Sequence, residues 1–160
     1  MAKDKQPKTN AMRMLETAGV PHRVNRYDCD EFIDGVHIAD QLGQPHERSF
    51  KTLVTSAKSG AHYVFVLPIA EELDLNKAAK AVGEKNVELL HVKDIRAVTG
   101  YIRGGCTPVG MKKQFPTVLD ETALQFDEII ISGGMLGTQI FLDPLDLAAL
   151  LHATVTDIKK

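Results

Sequence analysis

At 160 residues, 44% of them hydrophobic and 25% charged, the chain has the composition of a soluble globular protein with the length to bury a core. Its formal charge of −2 excludes a broadly basic nucleic-acid surface while leaving room for a local basic patch. Two cysteines far apart in sequence, Cys29 and Cys106, exclude a disulfide framework and fit a reducing cytosol.

In chain order, residues 1–7 are polar and read as a flexible start with no apolar stretch of the signal-peptide kind. No apolar run approaches the length of a membrane span, so the expected location is the cytoplasm. Thr9 or Asn10 can cap a helix carrying Ala11, Leu15 and Ala18, which Gly19 and Pro21 end. Residues 22–27 read as a strand, residues 28–31 as an acidic turn, and residues 36–42 as a helix stopped by Gly43 and Pro45. Residues 49–55 and 61–67 are two strand-like runs joined across Ser59-Gly60, a hairpin signal.

An Ala- and Lys-rich helix is expected over residues 75–82, a short strand over 87–90 and a short helix over 94–98, stopped by Gly100. Residues 100–117, rich in glycine and proline, read as a long loop of the kind that is functional or disordered. Residues 128–131 form a strand that Ser132-Gly133-Gly134 turns toward a second strand over 139–142. Pro144 opens a helix reaching Leu151, and residues 155–158 suit a last strand. Strands and helices mix without regular alternation, so the expected class is mixed α/β, α+β-like, rather than doubly wound.

Lys51 is the misfit. In its strand Phe50, Thr52 and Val54 share one face while Lys51, Leu53 and Thr55 share the other, and both faces are largely apolar. An ammonium there either snorkels to water along its stem or is held for a purpose, and pattern alone leaves both open.

Familiar catalytic strings are absent: no phosphate-binding loop, no dinucleotide glycine fingerprint and no His-Glu-x-x-His helix. His22, His37, His46, His62, His91 and His152 share no metal-ligand spacing with each other or with the cysteines, so neither metal nor cofactor is expected. Asp28, Asp30, Glu31 and Asp34 read as a solvated turn before they read as a cation site. Cys106, after two glycines, is a candidate nucleophile with no partner histidine nearby in sequence; its plainer reading is a small half-buried residue. Gly104-Gly105 and Gly133-Gly134 with Gly137 are either tight turns or backbone approaching a ligand. Basic residues gather at Lys3, Lys5, Lys8 and Arg13, and again at Arg96, Arg103, Lys112 and Lys113 around the glycine loop, where they could track a phosphate backbone.

Three stretches stand in a telling order: Phe50-Lys51-Thr52-Leu53, the run from Gly100 to Lys113 with Gly-Gly-Cys-Thr-Pro-Val-Gly-Met-Lys-Lys, and Ser132-Gly-Gly-Met-Leu-Gly137. With them the chain resembles the YbaK/EbsC family of aminoacyl-tRNA deacylases, relatives of the editing domain inserted in some prolyl-tRNA synthetases. The resemblance runs from about Thr9 to Ile158 and implies one domain over residues 8–160, a curved mixed β-sheet or irregular barrel with helices around it. It implies hydrolysis in trans of mischarged aminoacyl-tRNA, typically Cys-tRNA(Pro), with the proline tRNA 3′ end and a prolyl-tRNA synthetase as partners and neither membrane nor DNA. The family's essential lysine falls on Lys51, and its substrate-binding positions on Tyr27, Thr52, Gly104, Gly105, Ser132, Gly133, Gly134 and, two places past the last glycine, Gln139. Many relatives carry two basic residues where this chain has Met135 and Leu136, and an acidic one where it has Gln139.

An aminoacyl ester is already activated, so its hydrolysis needs positioning and charge stabilisation more than a strong nucleophile. A fixed ammonium and loop N–H groups can supply those, and a cysteinyl ester can attack its own carbonyl through the substrate thiol. Two other readings stay open: a non-catalytic module binding tRNA ends or a synthetase, and an editing deacylase of different specificity such as Ala-tRNA(Pro).

Overall fold

The helices are short because the sequence opens and closes each within two or three turns. A side-chain oxygen caps most of them, satisfying N–H groups that the first turn leaves without partners. Thr9 accepts from the Met12 N–H at the start of α1 (Asn10–Ala18), and Asp34 accepts from His37 at α2 (Gly35–Leu42). Asp74 accepts from Asn76 and Lys77 at α3 (Leu75–Val82), and Asp143 from Leu145 at α5 (Pro144–Leu151). The glycine stops expected at Gly19, Gly43, Gly83 and Gly100 all hold, the last ending α4 (Val92–Thr99). The computed structural model describes residues 7–29, 31 and 34–160. Most of the flexible start expected for residues 1–7 lies outside these, as does Asp30 of the acidic turn.

Among the described residues, eight strands form two sheets. The first is antiparallel, in the order β1 (Arg23–Arg26), β7 (Thr138–Leu142), β6 (Ile129–Ser132). The second runs β4 (Glu88–Leu89), β2 (Phe50–Ser56), β3 (His62–Pro68), β5 (Thr117–Asp120), β8 (Thr154–Thr156), and its last two pairings are parallel. A bridge between Ser49 and Ile130 connects the two, giving the expected mixed α/β architecture.

β3 sits at the centre of the larger sheet, which accounts for its unbroken apolar run. Val64 and Val66 face one core, together with Phe50, Val54, Leu119, Ile129, Ile131, Ile140 and the apolar faces of α1 and α5. Phe65 and Leu67 face the other, under α3, with Leu73, Ala78, Val87, Val118 and Ile158. The expected hairpin is β2–β3, in register from Phe50 opposite Pro68 to Ser56 opposite His62.

β5 departs from the sequence expectation of a loop through residue 117 with no strand directly after it. Four residues following Pro116 are too few to show a period, and their pairing with β3 and β8 comes from distant parts of the chain. α4 also begins two residues earlier than expected, at Val92.

The C-terminal segment is zipped into place. Ile158, fully buried, donates its N–H to the buried Asp120 carboxylate at 3.0 Å and accepts from the Asp74 N–H at 2.8 Å. Asp157 accepts from the Lys77 ammonium at 2.8 Å and from Lys159 at 3.1 Å, and these bonds, led by that from Lys77, hold its carboxyl down to about 2. A depressed carboxylate stabilises the fold fully above its ordinary value of 3.8 and loses that contribution as pH falls toward about 2. Denaturation midpoints followed from about pH 5 to about pH 1.5 should show a component in that window that Asp157→Asn abolishes.

Candidate active site

One edge of β2 lacks a partner over part of its length, and a cleft occupies the gap. β4 pairs with β2 only at Thr55 and Ser56, with the Leu90 N–H adding a bond to the Val54 carbonyl. At the other end Ser49 meets Ile130 of β6. Between those contacts the strand borders a cleft of about 390 Å³, within the range of small-ligand sites. Because the opening is at a strand edge, residues from both faces of β2, Lys51 and Thr52 among them, line it. Backbone groups alternate sides along a strand. The Val54 carbonyl points to the β4 side, so the Thr52 main-chain N–H and C=O turn toward the gap.

Lys51 is half-buried, and its ammonium makes no hydrogen bond or ion pair among the described residues. Desolvation pushes its pKa below the usual lysine value, opposed by the more distant charges of Glu72, Glu71 and Asp34. The Thr52 hydroxyl oxygen is buried and also without a partner. A cation and a hydroxyl left unsatisfied beside one cavity are costly for the fold unless something binds there.

A neutral polar cluster borders the same cleft. Gln44 and Gln139 exchange amide hydrogen bonds at 2.9 and 2.8 Å, and Asn25 donates to the Gln139 oxygen at 3.0 Å. Gln139 is only 6% exposed. β1 places Asn25 opposite Gln139 in the sheet register, and the loop after α2 delivers Gln44. Tyr27 also lines the cleft; its N–H donates to the Gly137 carbonyl at 2.9 Å, and burial raises its phenol.

Of the residues singled out from sequence, Tyr27, Lys51, Thr52, Gly104, Ser132 and Gln139 come together around this cleft. Gly105, Gly133 and Gly134 do not line it. A Cβ on Gly105 would lie 2.9 Å from the Met135 Cα, so here the two glycine motifs pack backbone to backbone. A Cβ on Gly133 would meet Thr138, and one on Gly134 would meet Thr9, whose hydroxyl donates to the Gly133 carbonyl. The tip of the long loop is anchored by Tyr101, which donates to the Val109 and Gly110 carbonyls at 2.7 and 3.2 Å. Gln44 and Asn25 escaped the sequence reading. Neither has a local signal, since Gln44 sits between a helix stop and a proline, and Asn25 is one polar residue in a polar strand.

Cys106 reaches the cleft wall, but burial pushes its thiol up to about 11. At neutral pH that leaves roughly one molecule in ten thousand as thiolate, the form that attacks. Among the described residues no group of three or more His, Cys, Asp or Glu side chains is placed to hold a metal, and no helix is long and apolar enough to cross a membrane.

Comparison with known proteins gives a consistent result. A family model described as the aminoacyl-tRNA editing domain matches residues 36–150. A protein of Enterococcus faecalis, named EbsC as a candidate Cys-tRNA(Pro)/Cys-tRNA(Cys) deacylase, is 49% identical over 99% of this chain and 98% of its own. The crystal structure of a candidate trans-editing enzyme for prolyl tRNA synthetase superposes with a TM-score of 0.84 at 29% identity, covering 97% of this chain and 99% of that one. The hypothetical protein APE2540, at 22% identity and TM-score 0.84 over 94% of this chain and 99% of its own, shares the fold.

Two expectations follow from the geometry. Gly105→Ala forces the glycine loop off the 133–137 turn and should destabilise the protein by about 1–3 kcal/mol in denaturant titrations, as overpacking does. Cys106 should resist alkylation in the native protein at neutral pH and react once the chain is unfolded, which peptide mass mapping reads directly.

Proposed function

We propose, from the premise that the chain belongs to the aminoacyl-tRNA editing domain family and is an aminoacyl-tRNA deacylase, that its substrate is Cys-tRNA(Pro) and that the cysteinyl thiol takes part in the reaction. The E. faecalis relative carries a name that includes this substrate, and near-complete coverage at 49% identity supports bringing it here. The observation that carries the mechanism is the unpaired Lys51 ammonium in a cleft that offers no activated protein nucleophile.

In this reading the 3′-terminal ribose and its ester enter the gap beside β2. Lys51 holds negative charge at the reacting end, either on a phosphate oxygen or on the developing oxyanion. The Thr52 main-chain N–H and the backbone at Gly104 supply further donors, a preorganised set in a site partly closed to water. Ser132 and Tyr27 border the same space, and the Gln44–Gln139 wall presents neutral dipoles to the aminoacyl group.

The substrate sulfur then attacks its own carbonyl carbon. A C–S bond forms, the ester C–O bond breaks, and the thiol proton passes to the departing ribose oxygen. Free tRNA and a cyclic thiolactone result, and water opens the thiolactone. The protein contributes position and electrostatics, which suffices for an ester already activated.

With a net charge of −2, the protein is read as engaging free tRNA weakly and in a salt-dependent way, with a prolyl-tRNA synthetase as second partner in the cytoplasm. Deacylation of Cys, Ala, Ser and Pro esters on the proline and cysteine tRNAs tests specificity; thiol participation requires the alanyl and seryl esters to persist.

Lys51→Ala should reduce turnover by roughly 10²-fold or more while leaving stability equal or higher, because a desolvated cation is removed. Lys51→Arg should also fail, a planar guanidinium being a poor replacement for a compact ammonium. Cys106→Ser should retain activity. Since the charged form is the working one and its pKa is lowered, activity should fall with rising pH below the usual lysine value. Stability should rise over the same window, because there the unfolded chain binds the extra proton. An active Lys51→Ala beside an inactive Cys106→Ser would overturn the mechanism.

A further inference from the structure

The cleft has a lip that its own fold leaves unused. Leu89 of β4 and Val92 of α4 line it, yet they remain 50% and 59% exposed. α4 borders the cleft. Val92 and Ile95 line the cleft, while Lys93 and Arg96 project into solvent. Arg96 stands four residues beyond Val92, directly above it on the helix surface.

Past the helix end the track continues. The Lys112 ammonium lies 3.3 Å from the Ala97 carbonyl, and its N–H donates to Thr99, which fixes the start of Lys112-Lys113 against the C-terminal turn of α4. Lys93, Arg96 and Lys113 form no ion pair with any described residue. Two carboxylates are close in sequence, Asp94 on α4 and Glu88 on β4, so the local balance of Lys93, Arg96, Lys112 and Lys113 against them is positive on a chain whose net charge is −2.

We propose that this face, from the Leu89–Val92 lip along α4 to Lys112 and Lys113, is where the 3′ strand of tRNA runs as it leaves the cleft. The inference rests on the deacylase reading and gives it a docking surface. Two observations favour nucleic acid as the occupant: the surface is continuous with the reacting cleft, and its charge is complementary to phosphate. Eight helical residues span about 12 Å, room for a short stretch of one strand's phosphates. Leu89 and Val92 offer apolar contact to the unpaired terminal bases, and the cations follow the backbone without reading sequence.

The test compares Lys93→Glu/Arg96→Glu with wild type and with Lys80→Glu, an exposed change on α3, using cysteinyl-tRNA(Pro) and the minimal ester cysteinyl-adenosine. The double variant should lose at least about fivefold in kcat/KM on the tRNA, through KM, and its log–log salt dependence should flatten by about one to two. Hydrolysis of cysteinyl-adenosine and all properties of Lys80→Glu should be unchanged. Retained kcat/KM on tRNA, or an equal loss on both esters, would overturn the proposal. So would a loss that appears only when a prolyl-tRNA synthetase is present, which would mark a protein-docking face. Filter binding of uncharged tRNA reads the same surface without turnover, and the double variant should weaken it. A wild type inactive on every ester but binding tRNA through these residues would therefore refute the substrate reading and leave the surface standing.

Discussion

A β-strand with one unpaired edge inside a folded protein is a standing cost, because its N–H and C=O groups face a space that must be filled or hydrated. Here that edge belongs to β2 between its contact with Ile130 and its contact with Leu90, and the site is organised by it. A continuous sheet would have sent Lys51 and Thr52 to opposite sides and given them no common ligand. The interruption lets one cavity reach both. It also needs a rigid strand on the far side, which β3 supplies by being buried on both faces.

The polar groups around the gap divide by how well they are satisfied. Gln44 and Gln139 bond to each other and Asn25 donates to Gln139, which fixes the two glutamines that line the cleft. The Lys51 ammonium and Thr52 hydroxyl are left open. Satisfied groups beside groups left open are the arrangement expected where a ligand completes the set. Cys106 belongs to neither group: it is partly buried against the apolar core, and that burial raises its thiol away from the reactive thiolate form.

The hairpin, the helix stops and the oddity of Lys51 could be read from residues because each is a local conflict or a local signal. An ammonium in an apolar strand is visible to anyone counting alternate positions. The glycine motifs were visible too, but pattern could not separate a glycine facing a ligand from one admitting another backbone. Gly104 lines the cleft, whereas its neighbour Gly105 accommodates Met135 from a segment thirty residues away. β5 and Gln44 were hidden for the same reason. Four residues between two pairing partners, and one amide in a loop, acquire meaning only through chain segments distant in sequence.

That distance shapes how the molecule comes into being. The hydroxyl of Thr9 reaches the carbonyl of Gly133, and Asn25 reaches Gln139, contacts that close loops of more than a hundred residues. Such closures are entropically late events in folding, and they slow it relative to a chain of local contacts. β1 has no strand partner until β7 has been synthesised. The nascent protein therefore carries Lys51 well before it holds the strands that complete the cleft around it.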